Sequence, residues 1–341
     1  MADWLGGYSS EWCVYEVDPE TWADLEPIDS VISVSISRDG TDDVPLLESG
    51  TMTTDSENPI ECAWCRICMR LDQDGMERVP IATLLFEQSK IRTEFRSPTS
   101  ELRGRSVLQP AADAKIEDSG FAPAGCNGAE FAARLLRECT PAPIVAEGSF
   151  TLSEDVVFDI GSSYLSAAWK VLKAADWCIQ IDGNGVATIR EKPSEPGLEL
   201  DRAHAGLLIP GVDRTFDISD VPNRYVAVSD GKKAVAVNDN PELPASYPRR
   251  GRWVTEVDTS PVPINGESLE HYALRRLNER SIVLKEYSYE REYWPGIVPF
   301  SLVRATLQAD GLTGDLRVLS QTLECGNGVK VSERAGQEVM V

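Results

Sequence analysis

The stretch from Val221 to Arg280 constrains the fold more than any other. Tyr225 to Ser229 and Ala234 to Asn238 are β-rich runs, and Asp230-Gly231 lies between them at the tip of a hairpin. Pro241, Pro244 and Pro248 exclude regular pairing from the loop that follows. A third strand is expected through Trp253 to Glu256, then a helix from about Glu267 to Arg280. The order along this stretch is strand, reversal, strand, ordered loop, strand, helix.

The rest of the chain is mostly strand. Glu11 to Val17 reads as a strand and Asp18 to Trp22 as a turn. Ile32, Val34 and Ile36 alternate with Ser33, Ser35 and Ser37, which predicts a half-buried strand ending at Arg38-Asp39-Gly40. Leu46 to Thr54, Ile60 to Leu71 and Val79 to Phe86 continue the series, with a turn at Asp72 to Gly75. Residues 92–115 are expected to be extended and broken at Pro98 and Pro110, and Gly120 to Gly128 to be loop. Asn127 is placed to cap a helix, with Glu130 completing a capping box and Phe131, Leu135 and Leu136 forming the apolar stripe. Ser162 or Ser163 starts a second helix, whose inner face holds Tyr164, Leu165, Ala168, Trp169 and Leu172. It feeds a hairpin, Trp177 to Ile181 and Val186 to Arg190, turned by Asp182-Gly183-Asn184-Gly185. Downstream, Ile282 to Tyr293 puts Tyr287, Tyr289 and Tyr293 on one face and Glu286, Glu290 and Glu292 on the other. Leu302 to Gln308, Leu316 to Glu324 and Gly328 to Ser332 are the last expected strands.

Val221-Pro222-Asn223-Arg224-Tyr225-Val226, then Ala236-Val237-Asn238-Asp239, then Pro248-Arg249-Arg250-Gly251-Arg252-Trp253, then His271 to Ser281, in this order, resemble the hub proteins of bacteriophage tail tips. These are similar in turn to the baseplate hub of contractile tails. Leu46 to Gly50 with Trp64 to Ile67, and Ala175 to Gly185, extend the resemblance over most of the chain. It implies a β-rich α+β chain with two antiparallel, tail-tube-like β-barrel domains around an α+β module. The boundaries expected are 1–95, 96–205 and 206–341, the last carrying the helix near 267–280. It implies a structural virion protein, made in the host cytoplasm and placed at the tail tip. There a homotrimer would join the sixfold tube and distal tail ring to a threefold central tip. Its partners would be the distal tail ring, the tape measure protein and a tip or spike protein. DNA would pass through its lumen without specific binding. A cell-wall hydrolase and a host-surface binding module are the alternatives.

The net charge of −22 argues against ordinary binding to phosphate backbones. Residues 1–60 hold fourteen Asp or Glu and Arg38 as the single base. That excess suits a self-repelling soluble surface or, following the resemblance, a channel wall to which DNA does not stick. No secretion signal or apolar run of membrane-spanning length is present, so no membrane insertion is expected, and the eight cysteines are expected to stay reduced.

Cys62, Cys65 and Cys68 have the spacing of an iron–sulfur motif. Alternation on a strand places Cys62 and Cys68 on one face and Cys65 on the other, which keeps the thiols from converging. Buried, inert cysteines are therefore expected and no cofactor. Of the two histidines, His204 lies in an expected linker and His271 on a solvated helix face beside Glu267 and Arg275. No nucleophile elbow or His-Glu-x-x-His motif occurs, so no enzymatic activity is expected. Asp182 to Gly185 matches the start of a calcium loop but lacks the later acidic ligands, so it reads as a hairpin turn. Arg249, Arg250 and Arg252 form the one basic cluster. They are either solvated or a contact for an acidic neighbouring subunit.

Overall fold

The computed structural model describes residues 10–341 except 41–45, 56–61, 72–76, 95–96, 202–206, 230, 260, 262–266, 308–310 and 327. By its contacts the chain groups into two units, Met1–Val212 with Ser288–Ala335, and Asp213–Tyr287 with Gly336–Val341. Seven strands come first: β1 (Ser10–Val17), β2 (Asp24–Pro27), β3 (Val31–Asp39), β4 (Glu48–Thr54), β5 (Cys62–Leu71), β6 (Glu77–Glu94) and β7 (Ser97–Arg105). A mixed module follows, with α1 (Gln109–Asp113), β8 (Gly120–Ala122), α2 (Gly128–Arg137), β9 (Ile144–Ala146), β10 (Val156–Phe158), α3 (Tyr164–Lys173), β11 (Trp177–Ile181) and β12 (Ala187–Glu191). Then come β13 (Pro196–Leu200), β14 (Leu208–Thr215), β15 (Arg224–Ser229), β16 (Lys232–Val237), α4 (Tyr247–Arg250), β17 (Thr255–Asp258) and α5 (Leu269–Arg280). The chain closes with β18 (Ile282–Glu292), β19 (Leu302–Leu307), β20 (Leu312–Gly326) and β21 (Gly328–Met340).

The β-rich α+β class is as expected, but the strands do not close into two barrels. Among the described residues, one sheet runs β14-β18-β21-β20-β3-β4-β7-β6-β5-β1-β2, with β19 on β20 and β13 on β19. The path is open. Its pivot is the antiparallel pairing of β3 with β20, from Ser320 opposite Asp39 to Cys325 opposite Val34. This pairing joins the N-terminal block of strands to the C-terminal block, so neither block closes on itself.

Local chemistry explains where strands depart from simple alternation. The register of β3 against β4 slips between Val31 and Ser33. Ile32, expected inside, is consequently 52% exposed, while Val34, Ile36 and then Arg38 point inward. Val34 and Ile36 meet Met52, Ile67, Met69, Ile81 and Leu84 in an apolar core. Pro110 does not break an extended segment. It sits in the first turn of α1, where its missing N–H costs nothing.

In the module, Asn127 caps α2 by accepting from the N–H groups of Ala129 and Glu130. Glu130 does not complete a capping box with Asn127; its carboxylate pairs with Arg137 (2.6 Å). The buried stripe of α2 centres on Ala129, Ala132, Ala133 and Leu136, with Phe131 and Leu135 at its margin. Ser163 caps α3. The Asp182–Gly185 turn joins β11 to β12 and docks on the large sheet. Trp22 Nε1 donates to the Asn184 carbonyl (2.8 Å), and Thr83 Oγ1 to that of Gly183 (3.0 Å). The approach is so close that a Cβ at Gly183 would lie 2.0 Å from the Pro80 carbonyl oxygen.

In the second unit the strands and helix come in the order expected from Val221 to Arg280, without a barrel around them among the described residues. β15 and β16 form a hairpin around Gly231, whose φ is +74°. β17 adds parallel to the other side of β15. Tyr225, Ala227, Ala234 and Ala236 cover Tyr272, Ala273 and Leu277 of α5, which Ser268 caps. Among the described residues no helix is long and apolar enough to cross a membrane.

Candidate assembly surface

Cys65 and Cys68 lie on β5 and are fully buried; the side chain of Cys62 lies outside the described residues. Cys65 packs in the core beside Ile67 and Met69. Burial pushes the Cys68 thiol up to about 12, far from a metal-binding thiolate at neutral pH. Among the described residues no group of three His, Cys, Asp or Glu is arranged to hold a metal. His204 lies outside the described residues. His271 is exposed on α5, one turn from Arg275, whose guanidinium is held by both carboxylate oxygens of Glu267 (2.9 and 3.0 Å).

The basic cluster divides by role. Arg250 donates to three backbone carbonyls, those of Val221 (2.7 Å), Ile218 (2.8 Å) and Ser219 (2.6 Å). It pins the loop before β15 to α4, and both its partial burial and the neighbouring Arg252 lower its pKa. Gly251, in the left-handed region at φ +63°, ends α4. This turn leaves Arg249 and Arg252 exposed. Arg249 Nε donates to the Pro241 carbonyl (2.8 Å) and Arg252 reaches the Ser219 carbonyl at 3.4 Å. Asn223, wholly buried, binds the same loop: its amide donates to the carbonyls of Ala245 (3.1 Å) and Arg252 (3.0 Å), and its oxygen accepts from Val254 N–H (2.9 Å).

That loop presents an aromatic stack. The rings of Tyr247 and Trp253 lie 4.1 Å apart and 20° from parallel. The Arg224 guanidinium covers the Trp253 ring at 5.6 Å. Trp253 is 43% exposed. Sequence reasoning singled out the arginines and missed this stack, although Arg224, Tyr247 and Trp253 all fall in or beside the motifs it quoted.

A second polar constellation lies inside the first unit. Arg291 pairs with Glu333 (2.6 Å), which also accepts from Tyr289 and from Gln321 (2.6 Å). Arg38 pairs with Glu48 (2.7 Å), donates to the Ile81 carbonyl (2.5 Å) and reaches Gln321 at 3.5 Å. Burial would raise the Glu333 carboxyl. The Arg291 charge and the hydrogen bonds it receives hold it below the ordinary value instead. Glu48 has the opposite balance. Burial raises its pKa, Arg38 offsets this only in part, and Oε2 has no hydrogen-bond partner. Sealed from solvent, these groups organise the core.

No family model matches the chain, and no curated protein matches it. Solved structures do. A tail protein from Neisseria meningitidis MC58 superposes with a TM-score of 0.62 at 14% identity, covering 97% of each chain. The 43 kDa tail protein of prophage MuSo2 from Shewanella oneidensis gives 0.64 at 12% identity over 96% of each. A chain of the Francisella PdpA–VgrG complex gives 0.57 at 7% identity, over 98% of this chain and 53% of that one. At nearly full length, the chain has the fold of phage and prophage tail proteins.

Proposed function

We propose that this chain is a hub subunit of a phage tail tip, a structural rather than catalytic protein. The observation that carries the reading is the full-length match to two tail proteins, with almost nothing left over on either side. The β3–β20 junction supports it as well. It sets the N-terminal and C-terminal blocks of strands edge to edge in one sheet. Three copies carrying two such blocks each would present six quasi-equivalent positions to a sixfold tube. On this reading β1–β7 and β18–β21 supply the two tube-like blocks; the first block runs past the expected boundary at 95 because β7, to Arg105, pairs with β4 and β6.

The charge distribution fits a lumen. The second unit holds thirteen acidic and eleven basic residues, so nearly all of the net −22 belongs to the first. A wall of that sign would let DNA slide through without adhering. The partners would be a distal tail ring above, a tip or spike protein below and the tape measure inside. Arg249 and Arg252 remain contacts for a neighbouring subunit; Arg250 is committed to its own loop.

The test is native mass spectrometry of the purified chain, alone and with the distal tail protein from the same genome, paired with immunogold labelling of assembled virions. Three copies per complex and label on the tail axis are expected. A chain that never assembles, or label at the periphery of the tip, would overturn the proposal.

A further inference from the structure

The three-stranded sheet of the second unit covers α5 with one face only. On its other face, β-pairing aligns Val235, Val226 and Val257 in a row across all three strands, and Val237, Arg224 and Thr255 in the next. Val257 is 57% exposed, and Val235 and Val237 are also exposed. Arg224 joins this valine surface to Trp253 and Tyr247 through its stack. The carboxylates of the three strands, Glu256 and Asp258, point the other way, toward α5: Glu256 pairs with Arg280, and Asp258 accepts from Tyr225 and Tyr272. The outward face thus carries Arg224 and Lys233 and no acid. Among the described residues, ten of the seventeen large exposed hydrophobic side chains fall in this unit, which is about a quarter of the chain. Exposed valines with Trp, Tyr and Arg are the composition of a protein-binding patch.

We infer that this face docks a second copy of the chain, at the acidic segment Ala23–Ser33 of its first unit; this rests on the multi-copy assembly proposed above. That segment is complementary in both respects. Leu25 and Ile32 are about half exposed there, 50% and 52%. Exposed Glu26 and Asp29 lie in the same segment, whose third acid, Asp24, is paired with Arg66 and Arg78. It includes β2, the last strand of the large sheet, so its outer edge has no partner among the described residues. A basic, apolar face on one unit meeting an acidic, apolar edge on the other is a head-to-tail contact, the kind that closes rings.

The test is sedimentation of the wild-type chain and of Val257→Asp, Arg224→Glu and Arg224→Glu with Glu26→Arg and Asp29→Arg. Circular dichroism and melting check that each variant folds. Val257→Asp and Arg224→Glu are expected to weaken self-association by on the order of 30-fold or more, and the charge swap to restore it to within a few-fold. Folded variants that assemble like wild type would overturn the inference while leaving the hub reading intact. So would a wild type that assembles only with other tail proteins. Failure to assemble under any condition would remove both.

Discussion

Replacing Arg291 by Met isolates the energetics of the buried centre. Glu333 would lose two charged hydrogen bonds, from Nη2 (2.6 Å) and Nε (3.2 Å), while keeping those from Tyr289 and Gln321. Each such bond contributes about 1.5–3 kcal/mol, and removing one partner of a buried pair costs about 3–5 kcal/mol because the other charge is stranded. The loss expected for Arg291→Met is therefore about 3–5 kcal/mol. Adding Glu333→Gln removes the stranded charge but leaves an amide oxygen for Tyr289, so the double variant should recover at least about 1 kcal/mol. The assay is urea unfolding followed by tryptophan fluorescence. Trp253→Phe serves as the background, so that every remaining tryptophan reports on the first unit. The pH dependence has a definite sign. The Glu333 pKa is depressed in the folded chain, so its stabilisation is present above the unfolded carboxylate pKa and is lost as pH falls through the folded one. A cost under about 1 kcal/mol for Arg291→Met, or a double variant no better than the single, would refute the reasoning.

Gly183→Ala should destabilise the first unit by more than about 2 kcal/mol, because its Cβ would collide with backbone at Pro80; Gly231→Ala, with open space around it, should cost only about 1 kcal/mol. Thermal melts of the two variants side by side check the difference. Cys68, Cys178 and Cys325, each pushed up to about 12 by burial, should react with a disulfide reagent at neutral pH only after denaturation. Peptide mapping of the labelled protein in both states reads this out. Glu48 should respond to pH opposite to Glu333. Its folded pKa is raised, so the carboxylate penalty is absent below the unfolded value and grows as pH rises through the folded one. Wild type should therefore lose stability relative to Glu48→Gln as pH rises above the ordinary carboxylate range, measured as the difference in urea midpoints; a flat difference would contradict this.

Much of the local structure could be read from the chain because its causes are local. Asn127, Ser163 and Gly231 act on residues within four positions of themselves, and each did what its chemistry requires. The joining of the two blocks of strands into one open sheet was not legible in this way. β3 and β20 pair across nearly the full length of the chain, and nothing in either strand names its partner. The same holds for Arg250, whose targets are backbone carbonyls that carry no sequence signal.

The buried charges are a different case, because their signal was present. Alternation along β3 puts Arg38 on the inward face after Val34 and Ile36, and alternation along β18 puts Arg291 among Tyr287, Tyr289 and Tyr293. The period of two is set by backbone geometry and holds whatever the side chain. A charge at an inward position is tolerated only with a partner inside. Each has one on a neighbouring strand: Glu48 stands directly opposite Arg38 in register, and Glu333 lies on β21. A strand whose inward phase contains a lone arginine thus predicts an inward carboxylate on an adjacent strand. The pairings of β3 with β4 and of β18 with β21 agree with that rule; Arg66 on β5 does not follow it, since its carboxylate, Asp24, lies on β2 beyond β1. The two pairs that follow it lie on either side of the β3–β20 junction, so each buried ion pair ties a strand of one block to its neighbour in that block.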